Sequence, residues 1–162
     1  MRVFTALTLL LLIAASAQAQ EAGITRTPLP NGSKFPIALA VEVPARASTI
    51  YISGIGADPL PGAGNALKFG DTETQARSAL IKISKVLNGL GLNLSNVVQV
   101  HVYLAGDPVK NGKLDFAGLQ KAWVQFFGTQ AQPNLPARSA FQVASLANPA
   151  WLVEIEVIAA RP

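Results

Sequence analysis

The chain has 162 residues, 50% of them hydrophobic and 14% charged, and 13 Lys and Arg against 9 Asp and Glu leave a net charge of +4. This length suits one ordinary domain. The hydrophobic content excludes a disordered polyelectrolyte, and the scattered cations disfavour a dedicated nucleic-acid binder. With no cysteine and a single histidine, His101, the composition also excludes disulfide scaffolds, cysteine-based metal sites and thiol catalysis.

Residues 1–19 have the pattern of a secretory signal peptide. Arg2 precedes an apolar run over residues 3–13, and the Ala-Gln-Ala tripeptide ending at Ala19 satisfies the small-x-small rule for signal peptidase. The apolar run is shorter than the about 20 residues that span a bilayer, so a permanent N-terminal anchor is the less favoured alternative. We therefore predict an exported protein, periplasmic or secreted, whose mature chain starts at Gln20 and has no further membrane contact.

Two short strands are predicted at the start of the folded domain, which we place at residues 36–162 after a polar, proline-containing lead-in at 20–35. Residues 36–43 and 48–53 are rich in β-forming side chains, and the turn between them predicts a hairpin. Prolines and glycines then indicate a surface loop over residues 58–70.

A long amphipathic helix is predicted to begin at Asp71 and Thr72, because Thr72 and Gln75 have the spacing of a capping box. Gly91 stands where a left-handed C-terminal cap is needed. Apolar residues recur between these ends every three or four positions and form one stripe, namely Ala76, Leu80, Ile83, Leu87 and Leu90.

The C-terminal half predicts a strand at 97–104, a second amphipathic helix at 115–127, and final strands at 137–146 and 151–160. The apolar stripe of the second helix consists of Phe116, Leu119, Trp123 and Phe126. The predicted order is therefore ββαβαββ, an α+β domain with both helices on one face of a sheet.

The last predicted strand has one apolar face and one mixed face. Alternate residues from Trp151 to Ala159 are apolar, whereas the opposite parity carries Glu154 and Glu156 among aliphatic residues. If the apolar parity packs under the helices, both carboxylates stand on the other side of the sheet. Such a face suits burial between copies of the chain, and solvated glutamates of an edge strand are the alternative.

Few groups are available for catalysis. No carboxylates cluster with metal-ligand spacing, which disfavours metal-dependent hydrolysis. A Ser-His-Asp triad is formally possible, but His101 lies within a predicted strand and no serine elbow is near, so a structural histidine is favoured. The glycines between residues 54 and 64 lead into a proline-rich loop and are no dinucleotide fingerprint. The remaining candidates are Arg138, Glu154 and Glu156.

Arg138 lies in an apolar stretch of sequence with no carboxylate close by. A guanidinium held in such surroundings needs an anion, and its planar fork suits a carboxylate bidentately. The partner is either a ligand carboxylate or, as a structural alternative, Glu154 in an ion pair.

Several motifs follow one another in the order of a known family. They are Ile-Tyr-Ile-Ser-Gly at 50–54, the helix and strand pattern over 74–104, the helix at 116–127, Pro-Ala-Arg-Ser at 136–139 and Leu-Val-Glu-Ile-Glu at 152–156. Over nearly all of residues 36–161 the sequence resembles the reactive-intermediate deaminase family, the RidA-like proteins formerly called YjgF. The two C-terminal motifs together are the most specific part of the likeness.

The resemblance implies a chorismate-mutase-like α+β subunit assembled as a homotrimer, with a cleft between each pair of subunits. It also implies hydrolysis of reactive enamines and imines, such as 2-imino acids, to 2-oxo acids and ammonia, without a metal or other cofactor. By position, Arg138 would bind the substrate carboxylate and Glu154 would position or activate the water. The substrate-binding residues carried over are Ser53, Gly54, Gln120 and the backbone of Ala140.

Some positions depart from the family pattern. Ile37 stands where a pocket tyrosine is common, Ile55 where glutamine is common, and Gln120 and Trp123 where asparagine and tyrosine are common. A more apolar pocket points to a different or bulkier imino acid. The alternative function is a trimer that binds small carboxylates without turnover. The endoribonuclease label of some relatives is disfavoured, because one histidine and scattered cations give neither an acid/base pair nor an RNA groove.

Overall fold

A computed structural model describes residues 23–62 and 68–162. The predicted signal peptide and the predicted start at Gln20 lie outside the described residues. None of the helices in the described part is long and apolar enough to cross a membrane. The elements are β1 (Thr25–Pro28), β2 (Ala38–Glu42), β3 (Ser48–Gly56), α1 (Thr72–Gly89), β4 (Val97–Leu104), α2 (Phe116–Trp123), β5 (Ala137–Gln142) and β6 (Val153–Arg161), with single 3₁₀ turns at Leu94–Asn96 and Pro108–Lys110.

The strands form one mixed sheet in the order β1-β2-β5-β4-β6-β3. β5 runs parallel to β2 and β4, and the other neighbours are antiparallel. The predicted α+β class is confirmed, but the predicted hairpin of residues 36–43 and 48–53 is wrong. β2 pairs with β1 and β5, whereas β3 pairs with β6 at the far side of the sheet. A turn-like sequence between two strands does not specify partners that lie a hundred residues away.

The predicted lead-in contributes β1, an edge strand that the sequence analysis missed. Arg26 fastens this strand to the rest of the domain through three backbone carbonyls. Its Nε donates to the carbonyl of Leu135 (3.1 Å), and its Nη2 donates to those of Ser95 (2.7 Å) and Val97 (3.3 Å). β1 is thus tied to the segments that lead into β4 and β5.

Helix α1 begins and ends close to the predicted positions, with a different N-terminal cap. Asp71 rather than Thr72 is the capping residue, and its side chain accepts the N–H of Thr74 (2.9 Å). Gln75 is buried and bonds instead to two backbone groups just before β6 (3.2 and 2.8 Å). Gly91 has a φ of +70°, so the predicted left-handed cap is confirmed. Of the predicted stripe, all residues but one are fully buried, and the exception, Leu90, is 45% exposed.

Both helices cover the same side of the sheet. Val153, Ile155, Val157 and Ala159 of β6 are at most 1% exposed beneath them, which confirms the predicted apolar parity. No described helix covers the other side of the sheet, which we call the open face. Its residues are Tyr51, Ser53, Gln99, His101, Tyr103, Ser139, Phe141, Glu154, Glu156 and Ile158.

Candidate active site

Arg138 lies on the helix-covered side of β5, among aromatic rings. Its register partner on β4 is Val100, which is fully buried in the core. The guanidinium carbon lies 4.4 Å from the ring centre of Trp123, 5.3 Å from that of Phe35 and 5.7 Å from that of Phe116. Rings at this distance attract the cation and hold its side chain in one orientation.

No carboxylate of the described residues pairs with the positive charge of Arg138. Its Nη1 is buried and finds no hydrogen-bond acceptor among residues 23–62 and 68–162. Burial lowers the pKa of Arg138 to about 10, so the guanidinium stays charged at neutral pH. A buried N–H of a cation is costly to leave unpaired. The arrangement therefore favours an anionic ligand with oxygens in the plane of the guanidinium.

Glu154 lies on the open face, away from Arg138. Its register partners are Tyr103 on β4 and Gly56 on β3. Arg138 points to the opposite side of the sheet, and β4 runs between the strands that carry the two residues. The structural ion pair considered from the sequence is therefore wrong within one chain, because alternate residues of neighbouring strands face opposite sides. A single chain does not bring the two predicted catalytic residues together.

Ser53 and Gly54 lie beside Glu154 in a bulge of β3. Ile52 and Ile55 are three positions apart on β3, but their partners on β6 are only two positions apart. β3 therefore has one extra residue between them. A Cβ at Gly54 would collide with the Glu154 carboxylate. Glycine is thus required for the carboxylate to lie against the backbone of β3. The structure brings these three predicted site residues together, and we call Ser53, Gly54 and Glu154 the glutamate group.

Gln120 and Ala140 lie on the same side of the sheet as Arg138. Gln120 is within one helical turn of Phe116 and Trp123, both of which contact the guanidinium, so its side chain leaves α2 on the same face. Its Oε1 is buried with no donor in the described part of the chain. Ala140 follows Arg138 by two positions on β5 and therefore faces the same way. We call Arg138, Gln120 and Ala140 the arginine group.

A polar network on the open face was not predicted as a unit. The Tyr103 hydroxyl donates to Glu156 Oε2 (2.7 Å), and His101 Nδ1 lies 3.7 Å from the same oxygen. The hydrogen bond to Glu156 raises the pKa of Tyr103 above its usual 10. His101 stands between Ser139 and Glu156 in register, but its Nε2 is bonded to the Gln99 amide (2.9 Å). Nε2 is therefore not presented to the serine, and a structural histidine fits better than a triad.

Phe35 and Phe116 are site residues whose role the sequence analysis missed. Their rings stack at 6.3 Å with an interplanar angle of 11°, next to the guanidinium. Phe35 lay in the predicted lead-in and Phe116 in an apolar stripe, so neither had a signal pointing to Arg138. Within the described ranges, no three His, Asp or Glu side chains are grouped so that they could hold a metal ion.

The fold and site define an α+β protein with a desolvated arginine on one side of its sheet and a polar, uncovered face on the other. Residues 32–161 match the sequence pattern of the endoribonuclease L-PSP family. The chain therefore belongs to that family, which includes the RidA-like proteins.

Two curated relatives are named as deaminases. The 2-iminobutanoate/2-iminopropanoate deaminase of Capra hircus is 38% identical over 114 residues, which cover 70% of this chain and 73% of the relative. The 3-aminoacrylate deaminase RutC of Acinetobacter baylyi is 28% identical over 131 residues, covering 81% and 94%. The likeness thus extends over most of both proteins.

Solved structures of the same family have the same fold. A Rid family protein of unknown function from Yersinia pestis has a TM-score of 0.64 at 24% identity, covering 84% of this chain and 98% of the other. The structure of E. coli TdcF with bound serine has a TM-score of 0.56 at 27% identity, covering 87% and 99%. The expected chain fold of the subunit is confirmed.

Proposed function

We propose that this protein hydrolyses 2-imino acids, and the enamines that tautomerise to them, to 2-oxo acids and ammonia without a cofactor. The observation that carries the proposal is the Arg138 guanidinium, which is buried among rings and has an unpaired Nη1. A 2-imino acid supplies the planar carboxylate that this group requires. The names of the curated relatives support the same substrate class.

We further propose that each site forms between two subunits of a homotrimer. Arg138 and Glu154 face opposite sides of the sheet, so the arginine group of one subunit needs the glutamate group of the next. The open face supports an assembly, because Tyr51 is 77% exposed and Phe141 is 43% exposed beside half-buried carboxylates. A monomer would leave these rings in water.

In the proposed reaction, Arg138 holds the carboxylate and places C2 of the iminium next to a water bound by Glu154. The water oxygen forms a bond to C2, its proton passes to the Glu154 carboxylate, and the C=N π electrons move to nitrogen. The carbinolamine nitrogen then takes that proton back from Glu154, the C–N bond breaks and ammonia leaves, and the hydroxyl proton passes to the Glu154 carboxylate as the C=O bond forms. Ser53 and the backbone at Gly54 would orient the water, and Gln120 and Ala140 would orient the substrate.

We also propose that the protein acts outside the cytoplasm, after cleavage before Gln20. The signal-peptide pattern of residues 1–19 is the observation that supports this compartment.

The test is acceleration of imine hydrolysis by the purified mature protein. D-amino-acid oxidase with catalase generates 2-iminopropanoate from D-alanine, and semicarbazide traps the imine as an absorbing semicarbazone. We expect the protein to lower the rate of semicarbazone formation in proportion to its concentration, and light scattering to give three times the monomer mass. No acceleration, together with calorimetric binding of pyruvate, would support the binding function instead. A monomer at micromolar concentration would contradict the two-subunit site.

A further inference from the structure

A cavity of about 210 Å³ lies between β1 and the segment that leads into β5. Its inner wall is formed by Leu29, Ile37, Leu135 and the buried Ala38. Of the polar residues that line it, Thr27, Ser33 and Asn134 are exposed, and Arg26 is half-buried. The cavity, which we call the β1 cavity, is therefore apolar inside and polar at its mouth.

Arg26, the one cation among the described residues that line the β1 cavity, is already hydrogen-bonded to the protein's own backbone. Arg26 donates from Nε and Nη2 to the carbonyls of Leu135, Ser95 and Val97. No Asp or Glu is among the described residues that line the cavity. Hydrogen bonds to backbone carbonyls leave the guanidinium of Arg26 poorly placed to hold a second carboxylate. The chemistry of the interior thus suits an uncharged, apolar group.

Phe35 connects this cavity with the candidate active site. Its ring lines the β1 cavity, and the same ring lies 5.3 Å from the guanidinium carbon of Arg138. Ile37, two residues further on, also lines the cavity, and Ala38 pairs with Ala137, the neighbour of Arg138. The Phe35 side chain therefore borders both the β1 cavity and the guanidinium that would hold the carboxylate of a ligand.

We propose that the β1 cavity receives the side chain of the imino acid, and that the protein prefers bulky apolar substrates such as those derived from leucine or phenylalanine. This inference rests on the proposed function. An apolar cavity of roughly 150 Å³ accommodates a benzene ring, so about 210 Å³ is enough for an isobutyl or a phenyl group. Each buried methylene contributes about fourfold to the specificity constant.

Part of the lining of the β1 cavity lies outside the residues that match the family pattern. Pro28 and Leu29 precede residue 32, where the match to the family begins. Arg26 holds Leu135 opposite them and so fixes the width of the cavity. The side-chain preference would thus come from a segment that the family pattern does not describe, while Arg138 and Glu154 lie within the match.

The experiment compares kcat/KM for three imino acids made by D-amino-acid oxidase from D-alanine, D-leucine and D-phenylalanine. For the wild-type protein we expect values at least about tenfold higher for the two bulky substrates. Leu29→Trp fills the cavity and should remove that preference, because it lowers kcat/KM for the two bulky substrates more than for 2-iminopropanoate. Leu29→Ala enlarges the cavity without overpacking and should shift the preference toward the phenyl substrate. The matched control is Leu60→Trp, because Leu60 lines a separate cavity against α1.

Three outcomes would overturn the inference. They are a wild-type preference for 2-iminopropanoate, an equal effect of Leu29→Trp on small and bulky substrates, and no effect of either Leu29 variant. If none of the imino acids is hydrolysed, the proposed function fails. Calorimetry with pyruvate, 4-methyl-2-oxopentanoate and phenylpyruvate then tests the cavity alone, and equal affinities for the three would contradict it.

Discussion

Replacing Arg138 by Met should abolish imino-acid hydrolysis and leave the fold intact. Met keeps an unbranched apolar stem against Trp123 and the Phe35–Phe116 stack but removes the guanidinium. No carboxylate of the same chain is stranded, because Glu154 is on the other side of the sheet.

The expected loss of activity is large and the expected loss of stability is small. Charge-assisted hydrogen bonds contribute about 1.5–3 kcal/mol to binding, and misplacing the reacting carbon costs about a further hundredfold. Together these give a fall of about 10³- to 10⁴-fold in kcat/KM. Burial lowers the pKa of Arg138 in the folded state to about 10, so its charge disfavours folding at every pH below that value. Removing that charge therefore relieves a desolvation cost at neutral pH, which offsets the loss of the attraction between the cation and the rings.

The measurement pairs semicarbazone-trapping kinetics with urea unfolding and light scattering. We expect Arg138→Met to lose turnover while its free energy of unfolding changes by less than about 1.5 kcal/mol. Arg138→Lys should recover little activity, because an ammonium lacks the planar fork. Turnover by Arg138→Met within about tenfold of wild type would refute the carboxylate-binding role. A variant that unfolds or dissociates would instead indicate a structural role.

Other expectations follow from single contacts. Gly54→Ala should displace the Glu154 carboxylate and lower kcat more than it raises KM, with the circular dichroism spectrum unchanged; full activity would contradict the close approach. Asp71→Ala should lower the free energy of unfolding at pH 7, measured with urea, by about 0.5–2 kcal/mol. Since Thr74 lowers the pKa of Asp71, this difference should be present above pH 3.8 and should shrink as the pH falls further; a difference independent of pH would count against the cap. Intact-mass analysis of exported protein should find Gln20 at the N-terminus, and retention of Met1 would remove the case for export.

The parts of the fold that repeat a local pattern could be predicted from the sequence. Alternation in β6 identified the buried side of Val153 and Ile155 and placed Glu154 on the other side. The stripe of α1 likewise identified its buried face. These patterns can be recognised in the sequence because each depends only on how one helix or strand packs against the core.

The parts that depend on long-range pairing could not be predicted. β1 is a four-residue strand whose anchor, Arg26, bonds to carbonyls far along the chain. On β5, simple polarity would bury Phe141 and expose Arg138, yet Phe141 is 43% exposed while Arg138 lies against the core. The separation of the arginine and glutamate groups follows from the register of three strands, which no single segment encodes.

In the proposed trimer, each site uses Arg138 of one subunit and Glu154 of another. Co-expression of Arg138→Met and Glu154→Gln chains with different affinity tags, followed by two-step purification, yields mixed assemblies. Each chain alone should be inactive. Each purified mixed trimer contains both kinds of chain, so one of its three sites combines an intact arginine with an intact glutamate, and we predict about a third of the wild-type activity. Mixed assemblies with no more activity than either parent variant would contradict the shared site. In that case each site would be built from one chain alone, and every chain lacks one of the two residues.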